Sequence, residues 1–144
     1  MIKINNVDLI PKLFLVEVPD FMGEMQKNIG IKFNCIENGV EIPYVNLTVN
    51  FCEFIGFKCS AYIDTNNFPD AVELLQKGFA KDSGFTKNSG FCTYPLWVFE
   101  EDFLKSGISL EEYTNPNEEV IQRLVEYVST EYNQTSVYTD SDDE

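Results

Sequence analysis

The sequence predicts an α+β fold, in which an antiparallel or mixed sheet carries helices mainly on one face. Three observations support this class. Segments rich in aromatic and β-branched residues fill the first 64 residues, an Asn-Gly pair separates two of them, and apolar residues recur at helical spacing further along the chain. With 144 residues, of which 44% are hydrophobic, the chain is long enough for one buried core. We therefore expect a single domain over residues 1–133 and a disordered acidic tail over residues 134–144.

Strands are predicted for much of the first half of the chain. Residues 12–18 form a short apolar run ended by a proline, which is typical of a buried strand. The segment PDFMGEMQKN at residues 19–28 is expected to form one or two helical turns. Residues 31–36 alternate Ile, Phe and Cys with Lys, Asn and Ile, and Asn38-Gly39 then predicts a hairpin turn, because both turn residues tolerate positive φ.

The return arm of this hairpin carries Pro43, which cannot donate a ladder hydrogen bond and therefore indicates a break or an edge strand. Residues 44–51 and then residues 54–64 resume strand character, with Gly56 as a candidate bulge in the second segment. The all-β portion is expected to end there, because the spacing of apolar residues changes after residue 64.

Helical signals are strongest in the second half of the chain. Residues 69–81 begin with a proline and an acid and carry apolar residues at helical spacing, which predicts a helix. Ser-Gly-Phe occurs at residues 83–85 and again at 89–91, and residues 81–90 are expected to form a mobile connecting loop. Residues 93–99 predict a strand, and residues 100–106 a short helix ended by a glycine. Residues 116–132 predict a helix, with an Asn cap, a proline in the first turn and an apolar stripe.

Composition excludes several classes of function. The chain has no His, which removes the usual general base and every Ser-His or Cys-His catalytic arrangement. Its net charge of −14 repels phosphate backbones and anionic lipids, so direct binding to nucleic acid or membrane is not expected. The sequence carries neither a secretory signal nor an apolar stretch long enough to cross a bilayer, and we expect a cytoplasmic protein.

Four cysteines lie among apolar or aromatic neighbours, and we expect reduced core thiols: Cys35, Cys52, Cys59 and Cys92. A four-thiolate zinc site is the alternative, but structural zinc ligands are normally paired two to four residues apart, whereas the closest two cysteines here are separated by six residues. A disulfide between Cys52 and Cys59 is geometrically possible but not expected in a cytoplasmic protein. We expect neither a bound metal nor another cofactor.

Negative charge is concentrated in the last third of the chain. Residues 1–90 have a net charge of −3, while residues 91–144 have a net charge of −11. Carboxylates on successive helix turns, about 5.4 Å apart, resemble the charge spacing of a nucleic acid strand and would fit a basic groove. The candidate partner-binding carboxylates are Glu100, Glu101, Asp102, Glu111, Glu112, Glu118, Glu119 and Glu126. The alternative is a solvated helix face followed by a solubilising tail, with Glu119 and Arg123 as an i,i+4 ion pair.

Two aromatic residues lie in the glycine-containing segment predicted as a loop. Phe85 and Phe91 each follow a Ser-Gly pair, where regular structure is not expected to bury them. An exposed aromatic side chain beside an acidic surface is typical of an anchor in a protein interface. Burial of both rings in the core is the alternative, because Phe is preferentially buried.

These features favour a non-enzymatic acidic binding protein that inhibits or regulates a basic protein, with a nucleic-acid-binding protein as the expected partner. Phages and plasmids use small acidic proteins of this type, some of them nucleic-acid mimics, against host nucleic-acid-processing or defence proteins, and the analogy rests on size and acidity. An immunity or antitoxin-like protein that neutralises a basic toxin is an alternative in the same class. A small carboxylate-based enzyme or ligand-binding domain is the alternative from a different class.

Overall fold

The computed structural model describes residues 1–108, which form two four-stranded antiparallel sheets. In the first sheet the strands lie in chain order: β1 (Ile2–Ile4), β2 (Val7–Pro19), β3 (Met25–Glu37) and β4 (Val40–Asn46). The second sheet has the order β5–β6–β8–β7, formed by β5 (Thr48–Val49), β6 (Ser60–Ile63), β7 (Ala80–Ser89) and β8 (Cys92–Phe99). Strands hold 56% and helices 13% of the described residues, so the fold is mostly β and only roughly compatible with the predicted α+β class.

The longest element is the hairpin of β2 and β3, which pair from Ile10↔Asn34 to Pro19↔Met25. The predicted strand over 12–18 is confirmed as part of β2. The predicted helical turns over 19–28 are wrong, because residues 20–24 form a tight turn and β3 begins at residue 25. A tight turn forms instead of a helix because its own hydrogen bonds satisfy the backbone, while both flanking segments pair as β2 and β3.

The predicted hairpin turn at Asn38-Gly39 is confirmed, with φ angles of 54° and 78° in the left-handed region. Its return arm, β4, lies at the edge of the first sheet, as Pro43 predicts. The ladder register shifts beside this proline, since Phe33 pairs with Val45 while Asn34 pairs with Pro43. A bulge therefore accommodates the missing donor without ending the strand.

Residues 50–59, hereafter the 50–59 loop, contain no regular strand, so the strand predicted over 54–64 is wrong except at β6. The strand predicted over 44–51 is likewise divided into the end of β4 and the short β5. Cys52 and Cys59 both adopt positive φ, at 62° and 56°, which a strand cannot accommodate. Gly56 accordingly lies in the loop rather than in a β-bulge.

The helix predicted over 69–81 is shorter than expected. A 3-10 turn (Pro69–Ala71) leads into α1 (Val72–Gln76), and the chain reverses at Gly78, whose φ is +81°. The loop predicted over 81–90 is wrong, because these residues form most of β7 and pair with β8. Gly and polar residues favour a loop by local propensity alone, but here pairing with β8 supplies backbone hydrogen bonds and a strand forms.

One cluster of buried apolar side chains joins the two sheets and includes Leu13, Phe33, Ile63, Trp97 and Phe99. The strand predicted over 93–99 and the short helix after it are confirmed as β8 and α2 (Glu101–Ser106). The helix ends at Gly107, whose carbonyl oxygen accepts a hydrogen bond from the Leu13 N–H at 2.9 Å. The predicted helix over 116–132, the domain boundary at 133 and the acidic tail over 134–144 lie outside the described residues.

The four thiols form no disulfide and differ in burial. Cys59 is buried, as predicted for a core thiol, and burial raises its pKa to about 11. Cys35 and Cys92 are partly buried, whereas Cys52 is exposed, so the expectation of a core position is wrong for Cys52. Among residues 1–108, no helix is long and apolar enough to span a membrane.

Candidate functional site

Aromatic side chains cover part of the second sheet on the face opposite its core. Tyr62 and Tyr94 alternate with the core residues Ala61 and Trp97, and therefore point to the outer face. Phe51, from the 50–59 loop, packs edge-on against both tyrosines, with ring centroids 5.5 and 5.1 Å away. Loss of hydration raises the pKa of Tyr94, with a smaller contribution from Cys92.

Three phenylalanines of the 50–59 loop and of β7 are exposed, and together we call them the aromatic patch: Phe54, Phe57 and Phe85. Their exposed fractions are 40%, 37% and 58%. Phe85 stacks on Phe57 with the ring centroids 5.8 Å apart and the planes inclined by 15°. Phe91, at the turn between β7 and β8, is fully exposed. Of the two predicted anchors, Phe85 therefore belongs to the aromatic patch, and both rings are exposed rather than part of the core.

A bulge in β7 places Phe85. Asp82 pairs with Trp97 and Thr86 pairs with Pro95, so the three residues between Asp82 and Thr86 leave the ladder. The Gly84 N–H donates to Asp82 Oδ1 at 2.9 Å, and the Phe85 N–H donates to Ser83 Oγ at 3.1 Å. Gly84 has a φ of +91°, which favours glycine. The first Ser-Gly-Phe repeat therefore builds an ordered bulge that carries an exposed ring.

The 50–59 loop is held at two points. On one side, Asn28 of β3 donates from Nδ2 to the carbonyl oxygen of Glu53 at 2.8 Å and accepts from the Ile55 N–H at 2.8 Å. On the other side, Lys87 Nζ lies 2.8 Å from Glu53 Oε1 and 5.5 Å from the centroid of the Phe51 ring. The hydrogen bond to Glu53 raises the pKa of Lys87. These contacts hold residues 53–55 of the loop between the two sheets and position Phe54.

The described carboxylates of the predicted acidic face lie at the start of α2. Glu100 and Asp102 are exposed, while Glu101 is partly buried and pairs with Lys105 at 3.1 Å. The remaining predicted carboxylates lie outside the described residues: Glu111, Glu112, Glu118, Glu119 and Glu126. Glu100 and Phe91 flank opposite ends of β8, whose eight residues span about 26 Å at 3.3 Å per residue. The structure therefore does not bring this carboxylate and Phe91 together.

An open cleft lies beside these carboxylates, with a volume of about 590 Å³. Glu100 and Asp102 line it together with Lys77, whose Nζ donates to the Lys3 carbonyl oxygen at 2.6 Å. Phe79 and Phe103 form an apolar part of its wall, with centroids 5.3 Å apart. Both the size and the mixture of apolar and charged groups are typical of small-molecule sites. Within residues 1–108, no three cysteine or carboxylate side chains lie close enough to hold a metal ion together.

A family model described as a domain of unknown function, DUF4313, matches residues 16–134. The chain belongs to the DUF4313 family. The match begins within β2 and extends beyond the described residues, so it includes the aromatic patch, Phe91 and all of the predicted carboxylates. Neither the curated proteins nor the solved structures provide a match.

Several exposed residues of this DUF4313 protein were not predicted from its sequence as candidate site residues. Phe54 and Phe57 fall in a segment predicted to be a strand, and the sequence analysis does not identify either ring as exposed. The sequence NFCEFIGF does not alternate apolar with polar residues, and that irregularity is the signal for a loop. Phe21 and Met22 fall in the segment predicted to be helical, although Asp20 and Gly23 are the residues preferred at the first and fourth positions of a β-turn.

Proposed function

We propose that this DUF4313 protein is a non-enzymatic binding protein that presents exposed aromatic rings and carboxylates to a basic protein partner and blocks that partner's own binding surface. The observation that carries the proposal is Phe85, which is 58% exposed although the bulge and the stacked ring of Phe57 hold it in place. An ordered aromatic side chain supplies contact area at a low entropic cost, and such residues dominate binding energy in many interfaces.

Charge supports a basic partner. Residues 1–108 contain fourteen acids and nine lysines, a net charge of −5, while residues 109–144 contain ten acids and one arginine, a net charge of −9. Such a field accelerates encounter with a positively charged surface and disfavours nucleic acid and anionic lipid as direct ligands. A nucleic-acid-binding protein has a groove of the required charge, and the carboxylates would occupy it in place of phosphates.

Several finer expectations from the sequence belong to this proposal. They are a cytoplasmic location, helices mainly on one face of the sheet, a helix over residues 116–132 that contributes carboxylates to the docking face, and an acidic segment over 134–144 that steers the partner. By analogy of size and acidity, the protein acts as phage or plasmid inhibitors act on host nucleic-acid-processing or defence proteins. An immunity or antitoxin-like role against a basic toxin uses the same surface and differs only in the partner.

A second candidate function rests on the cleft of about 590 Å³. Glu100 and Asp102 beside the rings of Phe79 and Phe103 would suit a small amphipathic cation, since carboxylates and aromatic faces both attract positive charge. This is the ligand-binding alternative. Ionic strength separates it from the main proposal in part, because a protein complex steered by many charges loses affinity with salt more steeply than a small cation held by two carboxylates.

The full chain, immobilised at one terminus, tests the proposal in an extract of its native cells at about 50 mM and 300 mM salt. We expect a basic protein to be retained at the lower concentration and largely released at the higher one. Reversal of Glu100, Glu111 and Glu112 to Lys should abolish retention, while the melting temperature stays the same or rises because self-repulsion decreases. Retention that is indifferent to both salt and charge reversal would contradict the acidic docking face.

A further inference from the structure

The turn between β2 and β3 displays large apolar side chains in solvent. Phe21 is 97% exposed and Met22 is 77% exposed, and Met25, the first residue of β3, is 55% exposed. An exposed apolar patch on a protein surface is a marker of binding, because its burial in a complex releases ordered water. We call residues 20–24 the β2–β3 tip.

The β2–β3 tip is ordered by its own hydrogen bonds. The Gly23 N–H donates to the Asp20 carbonyl oxygen at 2.9 Å, so Phe21 and Met22 occupy the two central positions of a β-turn. Asp20 Oδ1 accepts from the N–H groups of Met22 and Glu24, both at 2.9 Å. Gly23 has a φ of +84°, which favours glycine. The two apolar side chains are therefore presented on a fixed backbone, which lowers the entropic cost of binding.

The charges around the tip indicate the chemistry of its partner. Glu17, Asp20 and Glu24 lie within or beside the turn, and the lysine nearest in the sequence, Lys27, has its Nζ 3.9 Å from Glu17 Oε2. Anionic lipid headgroups would be repelled by this acidic surround, whereas Lys or Arg side chains around a pocket would be attracted. A narrow convex turn with two adjacent apolar side chains fits a concave apolar pocket better than a flat surface.

We propose that the β2–β3 tip inserts Phe21 and Met22 into an apolar pocket with a basic rim on the protein partner. This inference rests on the proposed function, because it assigns the tip a contact with the same partner. The tip supplies apolar area, while Glu17 and Glu24 meet the basic rim. The aromatic patch and the acidic residues then form a separate part of the interface.

Site-specific photocrosslinking in the full chain tests the tip. Benzoylphenylalanine is introduced in place of Phe21, in place of Phe85, or in place of Val40, which is 58% exposed and serves as the matched control. After irradiation in native-cell extract, we expect the same protein to be crosslinked from positions 21 and 85, with little or no product from position 40. With that protein purified, the double variant Phe21→Ser/Met22→Ser should bind at least about tenfold more weakly, and Val40→Ser less than about twofold more weakly.

Other results of the crosslinking and binding experiments would contradict one or both proposals. If a crosslinked product forms from position 85 but not from position 21, or if the double variant binds like the wild type, the inference about the β2–β3 tip is wrong. The proposed function is then unaffected. A product at 21 that is insensitive to salt and to charge reversal supports an apolar contact but contradicts the basic rim and the proposed function. A product with the mass of two chains, or binding to phosphatidylcholine vesicles that the double variant loses, overturns the inference in favour of a second copy or a lipid surface. No product at either position overturns both proposals.

Discussion

Asn28 of β3 binds the backbone of Glu53 through its side-chain amide, with Nδ2 donating to the carbonyl oxygen at 2.8 Å. Its Oδ1 accepts from the Ile55 N–H at the same distance, so a single buried side chain satisfies the backbone on both sides of Phe54. We expect Asn28→Ala to lower the free energy of unfolding by about 2–3 kcal/mol, because two part-buried backbone groups lose their partners. Urea titration measures this loss.

Asn50 is the control for that prediction. Its Oδ1 also accepts a backbone N–H within the same loop, from Cys52 at 3.0 Å, but this contact is exposed. Water can replace it, so Asn50→Ala should cost less than about 1 kcal/mol. Amide hydrogen exchange at Ile55 should accelerate only in the Asn28 variant. Equal costs for the two variants would show that Asn28 does not anchor the 50–59 loop.

Gly30 should not tolerate a side chain, because Phe14 covers it. A Cβ at position 30 would clash with Cε2 of the Phe14 ring, so the ring would have to move. We expect Gly30→Ala to cost about 1–3 kcal/mol of unfolding free energy and expect the cost to fall when Phe14→Leu is present as well. Gly56→Ala is the control, since the nearest atom there is 3.9 Å away, and it should change stability by no more than about 0.5 kcal/mol.

Thiol reactivity should separate Cys52 from Cys59. Burial raises the pKa of Cys59 from 9.0 to about 11, which lowers its thiolate fraction at pH 8 about a hundredfold, and burial also blocks access. Alkylation followed by peptide mass spectrometry should therefore modify the exposed Cys52 first and Cys59 last. The rates should become similar in urea. Similar rates in the native protein would contradict the buried position of Cys59.

Glu41 should make stability depend on pH in the acid range. Hydrogen bonds from Asn34 Nδ2 and Lys12 hold the pKa of this carboxyl below its usual value of 4.5. A lowered pKa stabilises the fold above pH 4.5, and this stability is lost as the pH falls through the folded-state pKa. Glu41→Gln should cost at most about 1 kcal/mol at pH 7, because the side chain is 37% exposed, and the difference should shrink toward zero below pH 4.5. A difference independent of pH would contradict this assignment.

Local chemistry explains which elements could be predicted from the sequence. The Asn38-Gly39 turn needs only two residues that tolerate positive φ, and Pro43 marks an edge because it lacks a donor. Both features can therefore be predicted from a few residues. β7 cannot be predicted in this way. Its polar and glycine residues form a strand because β8 pairs with them, and that pairing is visible only in the folded chain.

The candidate site also contains some features that can be predicted from the sequence and others that cannot. Phe85 and Phe91 could be predicted as exposed, since each follows a Ser-Gly pair that interrupts the apolar pattern. The stacking of Phe85 on Phe57 could not, because it depends on the 50–59 loop being held by Asn28 from another sheet. Phe21 was missed for a different reason. Residues 19–28 contain no β-branched residue and include Met, Glu, Gln and Lys, which favour a helix by propensity.

We propose that the aromatic patch binds the partner, and two substitutions at equally exposed positions can test this. Phe85 and Val40 are both 58% exposed, so Phe85→Ser and Val40→Ser remove similar fractions of exposed apolar side chain at different places. The measurement is the dissociation constant for the protein retained by the wild-type chain, at about 50 mM salt. We predict that Phe85→Ser weakens binding at least about tenfold and Val40→Ser less than about twofold. Equal effects of the two substitutions, or unchanged binding by Phe85→Ser, would contradict the claim.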